Sequence, residues 1–181
     1  MMNIPEPLNP ADALKAAMPD VVKEVVYFRD ETTIVVESGK IPEVLRYVRD
    51  TKGLIYNYLS DISAVDYYQP DGEHNRPARF GVSYHLYSML YNRRLRVKTY
   101  VEDGVTVPTA TGVWPAANWL EREVHDLMGI RFDGHPDMRR LLMPQDWDGH
   151  PHRRDYPIGY ETVQFSFNVE EIMKYKPFAE E

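Results

Sequence analysis

The chain has 181 residues, of which 43% are hydrophobic and 12% aromatic, so it can bury a proper core and is too apolar for a disordered protein. Its formal net charge of -7 argues against a nucleic-acid-binding protein, because phosphate backbones require a basic surface. The absence of cysteine excludes disulfides, a thiolate nucleophile and cysteine-ligated zinc or iron–sulfur clusters. Any redox role is therefore expected to be indirect.

The N-terminal stretch lacks the basic and apolar regions of a signal peptide. No run approaches the roughly 18 to 20 apolar residues that a membrane span needs. We therefore expect a cytoplasmic protein, with any membrane contact made through a partner.

The first third of the chain predicts two helices and a hairpin. Segment 9–19 opens with Asn-Pro, a helix cap followed by a favourable first position, and closes with Pro. The β-branched runs 21–29 and 32–37 predict a β-hairpin. Segment 41–53 has apolar residues at helical spacing and ends in Gly, which predicts a second helix with one buried stripe.

Three further segments predict strands. Segment 55–68 is rich in tyrosine and aliphatic residues, although its two faces are poorly separated. Segment 79–90 alternates clearly, and its expected buried face consists of Phe80, Val82, Tyr84, Leu86 and Leu90. In segment 94–101 the apolar residues alternate with a basic row, which we expect to be solvated or to face a partner: Arg94, Arg96 and Lys98.

A third helix is predicted to end at Gly129. Its apolar stripe buries one face on the sheet and consists of Val113, Ala117, Leu120, Val124 and Leu127. Nearly all the other positions are ionisable: Glu121, Arg122, Glu123, His125 and Asp126. Arg122 with Asp126, and Glu121 with His125, are four residues apart and are expected to meet on the helix surface. The fold class is α+β, a two-layer sandwich of a mixed, mainly antiparallel sheet with helices on one face.

The segment after Gly129 has no period, and it combines charged residues with repeated Gly and Pro. Such a long structureless segment is normally disordered, catalytic or wrapped on a surface. Disorder fits poorly, because the segment carries apolar anchors: Ile130, Phe132, Leu141, Leu142, Met143, Trp147 and Tyr156. We therefore divide the chain into an α+β domain, 1–128, and an extended C-terminal arm, 129–181, that docks on a partner.

A metal site is the sharpest alternative for this segment. His150 and His152, with Asp155 or His135, offer nitrogen and oxygen ligands for zinc or iron. The spacing is not diagnostic, and the arginines at 153–154 would repel a cation.

A metal-dependent or other hydrolase that uses Glu123 or Asp126 as base with His125 is a second alternative. No nucleophile motif such as GxSxG and no HExxH accompanies these residues. The chain also lacks GxGxxG and the P-loop, so dinucleotide binding through a glycine-rich turn is not expected.

The helix and the coil together closely resemble the signature of the C-subunit family of the proton-pumping NADH:quinone oxidoreductase, respiratory complex I. The match spans nearly forty residues at fixed spacing, too many charged, Gly and Pro positions for chance. The matching residues are Glu121-Arg122-Glu123, Asp126-Leu127-Met128-Gly129-Ile130, Phe132, Gly134-His135-Pro136, Arg139-Arg140-Leu141-Leu142, Gly149-His150-Pro151 and Arg153-Arg154-Asp155-Tyr156-Pro157.

The resemblance implies a non-catalytic subunit of the peripheral arm, on the cytoplasmic side of the inner membrane. Such a subunit holds no cofactor of its own, and FMN and the iron–sulfur clusters belong to other subunits. Its neighbour is the quinone-site subunit, which is related to the large subunit of nickel–iron hydrogenases. The same module is similar to subunits of membrane-bound hydrogenases and coenzyme F420 dehydrogenases, and the sequence does not identify the electron donor.

Some residues of the matched segment are expected to anchor the arm or to contact the partner. Four residues of the helix are expected to hold the coil: Glu121, Arg122, Glu123 and Asp126. The expected coil residues are His135, Arg139, Arg140, His150, Arg153, Arg154 and Asp155.

Overall fold

One mixed five-stranded sheet organises the part of the chain that the computed structural model describes, residues 5–70 and 76–157. Its strands are β1 (Val22–Phe28), β2 (Glu31–Val36), β3 (Tyr58–Asp66), β4 (Phe80–Ser88) and β5 (Arg93–Val101). Their order in the sheet is β1-β2-β5-β4-β3, with β2 and β5 parallel and the other neighbours antiparallel. The predicted fold class is confirmed.

Three α-helices lie within the described residues: α1 (Pro10–Ala17), α2 (Ile41–Asp50) and α3 (Ala117–Met128). The Asn9 side chain caps α1 by accepting the N–H of Ala11 at 2.9 Å, as its sequence predicts. A small second sheet pairs β6 (Val107–Pro108) with β7 (Phe132–Asp133) in parallel. No helix within 5–70 and 76–157 is both long and apolar enough to cross a membrane.

The hydrophobic core lies between the helices and one face of the sheet. The alternation of β4 is confirmed for Phe80, Val82, Tyr84 and Leu86, which are all buried. Leu90 was wrongly predicted to join them. It is 44% exposed, because β4 ends at Ser88 and Leu90 lies in the turn that leads to β5.

The opposite face of the sheet carries the predicted basic row of β5, and none of the three described helices covers it. Arg96 forms an ion pair with Glu31 of β2 at 2.9 Å. Lys98 donates through Nζ to the hydroxyl of Tyr67 at 2.7 Å. The mild repulsion within the row is thus relieved inside the chain, while Arg94 remains on the surface.

A candidate docking site on the third helix

Helix α3 is buried on its charged side as well as on its apolar side. Glu121 and Asp126 are completely buried, and Arg122 is nearly so. The expected surface pairs of Arg122 with Asp126 and of Glu121 with His125 are not formed, because other partners hold these residues. The chain after β7, residues 134–157 and here called the strap, passes over this face of α3 and supplies many of those partners.

Asp126 is the main attachment point of the strap. One carboxylate oxygen, Oδ2, accepts the backbone N–H groups of Leu141, Leu142 and Met143 at 2.9, 2.6 and 2.8 Å. The other oxygen, Oδ1, accepts Nη1 of Arg140 at 2.7 Å. Burial acts to raise the pKa of Asp126, but these hydrogen bonds outweigh it and hold the pKa below its ordinary value. The carboxylate is therefore ionised and fully satisfied.

Two arginines tie the turns of the strap together through backbone carbonyls. Arg122 donates from Nε to the carbonyl of Arg139 at 3.0 Å and from Nη2 to that of Arg140 at 3.1 Å. Arg140 in turn donates from Nη2 to the carbonyls of Trp147 and Gly149 at 2.8 and 3.0 Å. The planar guanidinium presents several donors at once, so each arginine fixes two points of a coil that has no ladder of its own.

Glu121 holds the other side of α3 and bonds to no arginine. It accepts the backbone N–H of Ala110 at 2.6 Å and the hydroxyl of Thr109 at 2.5 Å. Burial raises its pKa to about 7, and these two hydrogen bonds only partly oppose that effect. His135 Nε2 lies 3.9 Å from the same carboxyl and donates to the carbonyl of Asn118 at 3.1 Å.

The end of the strap is fixed to the sheet by a network around Arg79. Arg79 pairs with Asp66 at 2.9 Å and with Asp155 at 2.8 Å. The hydrogen bond to Asp66 is the largest influence on the pKa of Arg79, which it raises.

Arg153 pairs with Asp103 at 3.0 Å and donates to the carbonyl of Met128 at 2.8 Å. The backbone N–H of Arg154 completes the network by donating to Asp66 at 3.0 Å.

Two histidines line a cavity of about 340 Å³ beside Gly129. His125 donates from Nδ1 to the carbonyl of Ile130 at 3.2 Å, and His150 donates to that of Asp126 at 2.9 Å. Burial lowers the pKa of His125. Within residues 5–70 and 76–157, no group of three histidine or acidic side chains is arranged to hold a metal ion. Both histidines bind backbone carbonyls, and the bond of His150 to Asp126 holds the strap to α3.

The remaining candidate residues face solvent. The side chains of Glu123, Arg139 and Arg154 are exposed. Leu142, one of the expected apolar anchors, is 60% exposed, and its backbone N–H is held by Asp126. Ile130 and Phe132, by contrast, belong to the core.

Which of the candidate residues contact a partner stays a prediction, and residues 158–181 of the predicted arm lie outside the described part of the chain.

Trp119 is a surface feature that sequence reasoning missed. It is 60% exposed on α3, and its ring lies 5.2 Å from the guanidinium carbon of Arg122. A large aromatic side chain outside the apolar stripe of an amphipathic helix was the available signal. Trp119 of α3 and Leu142 of the strap are thus both large apolar side chains exposed to solvent.

The fold and the site together define a class of protein: a two-layer α+β domain whose buried charges fix a long coil on one helix. The chain belongs to the family of the respiratory-chain NADH dehydrogenase 30 Kd subunit, whose sequence model matches residues 34–162. The NADH-quinone oxidoreductase C-subunit of Roseiflexus sp. (strain RS-1) is 42% identical over 171 residues, 94% of this chain and 95% of the relative. The protein of the same name from Geobacter metallireducens is 47% identical over 138 residues, 76% of this chain and 81% of the relative.

Proposed function

We propose that this chain is a structural and assembly subunit of the peripheral arm of a respiratory NADH:quinone oxidoreductase. It docks on the quinone-site subunit and supports electron transfer from NADH to quinone, coupled to proton translocation, without catalytic residues of its own. Family membership and the names of the relatives support the assignment to this complex. The site supports a docking role, because its buried ionic groups are used to hold the strap.

The observation that carries the proposal is the contrast between the two sides of the strap. Its inner side is fixed by Asp126 and two arginines, so the coil is rigid. Leu142 of the strap and Trp119 of the neighbouring helix α3 are exposed to solvent, although exposure of large apolar side chains is unfavourable. Rigid aromatic and aliphatic side chains surrounded by charged groups are typical of the central residues of protein interfaces.

We also propose that the chain binds no cofactor and associates with the membrane only through its neighbours, on the cytoplasmic side. The absence of cysteine supports this for iron–sulfur clusters, which require thiolate ligands. FMN and the clusters would then reside in other subunits of the complex.

Affinity purification of the full chain from native membranes tests the proposed function. We expect flavin-containing and iron–sulfur subunits to co-purify with the chain in constant proportion. Metal analysis of the isolated full chain is a second readout, and we expect no stoichiometric metal. A chain that purifies without redox subunits, or with a bound metal that the His150→Ala, His152→Ala double variant loses, contradicts the proposal.

A further inference from the structure

We propose that the outer edge of β1 binds an extended segment of a neighbouring subunit, which adds one further strand to the sheet. The inference rests on the proposed function only for the identity of the neighbour. The surface itself is defined by the backbone and side chains of β1, on the side of the sheet away from α3.

The first observation is that β1 is an edge strand. It pairs with β2 on one side, and no described strand pairs with its other side. Natural proteins protect such edges with bulges and charged side chains, because unpaired N–H and C=O groups attract other strands. A register shift between Val22 and Glu24 and the adjacent Lys23 protect the first half of β1. The second half, 25–28, pairs regularly and lacks this protection.

The second observation is the direction of the backbone groups in that half. Arg29 and Asp30, with φ values of 49° and 63°, form the two-residue turn to β2, and Phe28 and Glu31 close the hairpin. In such a hairpin the closing pair exchanges both hydrogen bonds, and the pairs then alternate along the ladder. The N–H and C=O of Tyr27 therefore point away from β2, towards the free edge.

The third observation is a row of exposed apolar side chains on the same residues. Val26, Tyr27 and Phe28 are 39%, 62% and 65% exposed. Successive residues of a strand alternate between the two faces, so a strand added at this edge contacts Tyr27 on one face and its two neighbours on the other. Backbone pairing then supplies affinity, and these side chains supply specificity.

Charge indicates one further property of the segment that binds. The guanidinium carbon of Arg29 lies 5.1 Å from the ring centroid of Phe28, and no carboxylate within residues 5–70 and 76–157 forms an ion pair with Arg29. A carboxylate on the incoming strand near the hairpin turn would complete this charge. The partner is thus an extended segment with alternating apolar residues and an acidic residue at one end.

Two substitutions at one position separate backbone pairing from side-chain contact. Tyr27→Ala removes the aromatic ring but keeps the N–H, whereas Tyr27→Pro removes both. Proline is tolerated on an edge strand when its nitrogen faces away from the ladder, so both variants should fold. Circular dichroism and thermal unfolding of the full chain check this. Each variant then replaces the native chain in cells, and the assembled complex is quantified on native gels.

We expect Tyr27→Pro to bind about five- to tenfold more weakly than Tyr27→Ala, because a backbone hydrogen bond contributes about 1 kcal/mol net. We also expect the Tyr27 amide to exchange hydrogen slowly in the purified complex and rapidly in the full chain alone. Equal assembly of the two variants together with rapid exchange in the complex would overturn the proposal.

Two other outcomes would show either that a second copy of this chain binds the edge or that the proposed function is wrong. Slow exchange of the Tyr27 amide in the isolated chain, accompanied by a dimeric mass in light scattering, would assign the edge to a second copy of this chain and overturn the proposal. Failure of the native chain to co-purify with redox subunits would instead refute the proposed function. Failure of the proposed strand addition and failure of the proposed function therefore give different results.

Discussion

At the scale of single residues, the carboxylate of Asp126 is the main acceptor of hydrogen bonds from the strap. The Asp126 carboxylate accepts four hydrogen bonds. In Asp126→Asn, the amide NH2 group takes the place of one carboxylate oxygen and can no longer accept the N–H groups that this oxygen accepts now. We expect the free energy of unfolding to fall by about 3 to 5 kcal/mol, as when one member of a buried ion pair is lost. Urea unfolding measures the loss, and hydrogen exchange at Leu141, Leu142 and Met143 locates it.

Asp137→Asn is the matched control for that substitution. Asp137 pairs with Arg139 at 2.7 Å, and the Arg139 side chain is 74% exposed. Such solvent-exposed pairs contribute little, so we expect almost no change in stability. Equal losses in the two variants would show that removal of any carboxylate from this region, rather than the attachment of the strap, sets the effect.

Glu121 gives the site a pH dependence. Its pKa is raised from 4.5 to about 7 in the folded chain, so at intermediate pH the folded state holds a proton that the unfolded state has lost. The free energy of unfolding therefore falls as pH rises from the unfolded pKa through about 7, by roughly 3 kcal/mol in total.

Glu121→Gln removes this titration and keeps an acceptor for Ala110. The free energy of unfolding of the variant, minus that of the native chain, should therefore rise by about 2 to 3 kcal/mol between about pH 5 and about pH 8. Urea unfolding at several pH values measures this difference, and Glu123→Gln, at an exposed carboxyl on the same helix, is the control. A native chain and Glu121→Gln variant with parallel pH profiles would show that the Glu121 carboxyl is not held protonated by burial.

At the scale of the elements, the approach of the strap to the end of α3 depends on Gly129. Its φ is 76°, and an added Cβ would lie 2.5 Å from Nη2 of Arg153 and 2.6 Å from Cδ2 of His150. Gly129→Ala should therefore cost about 1 to 2 kcal/mol for the left-handed backbone and a further 1.5 to 3 kcal/mol, roughly, for a displaced charged hydrogen bond.

Gly104→Ala isolates the backbone part of that cost. Gly104 has a φ of 78°, and nothing lies within 4 Å of an added Cβ. Thermal unfolding should therefore show a smaller loss for Gly104→Ala, and only Gly129→Ala should increase hydrogen exchange at residues 150–157. If the two variants lose equal stability, the strap does not pack on the end of α3 as described.

The elements themselves were largely predictable from the sequence. The cap at Asn9, the stripe of α2 and the alternation of β4 are local patterns, and each is confirmed. The burial of Glu121 and Asp126 was not predictable in the same way. Their partners lie at Ala110 and in the strap, and a coil without a period carries no signal for its path. The resemblance marked these residues as important but not as buried.

At the scale of the whole molecule, the proposed docking role predicts a separation between folding and assembly. Trp119→Ala removes an exposed ring and should leave the free energy of unfolding nearly unchanged. We expect it to weaken assembly by at least about 2 kcal/mol, roughly thirtyfold, as for a central interface residue. Met89→Ala is the matched control, because Met89 is also 60% exposed but lies in the turn after β4. Native gels quantify the assembled complex for both variants.

Site-specific photo-crosslinking in the intact complex identifies which subunit lies against α3 and the strap. A photoreactive residue is placed at 119 or 142, on the outer side of α3 and the strap, and at 89 as the control. We expect the first two positions to crosslink to the quinone-site subunit and position 89 to crosslink to it much less. Absence of crosslinks to that subunit from both positions, in a complex that assembles normally, would show that this surface does not dock on it.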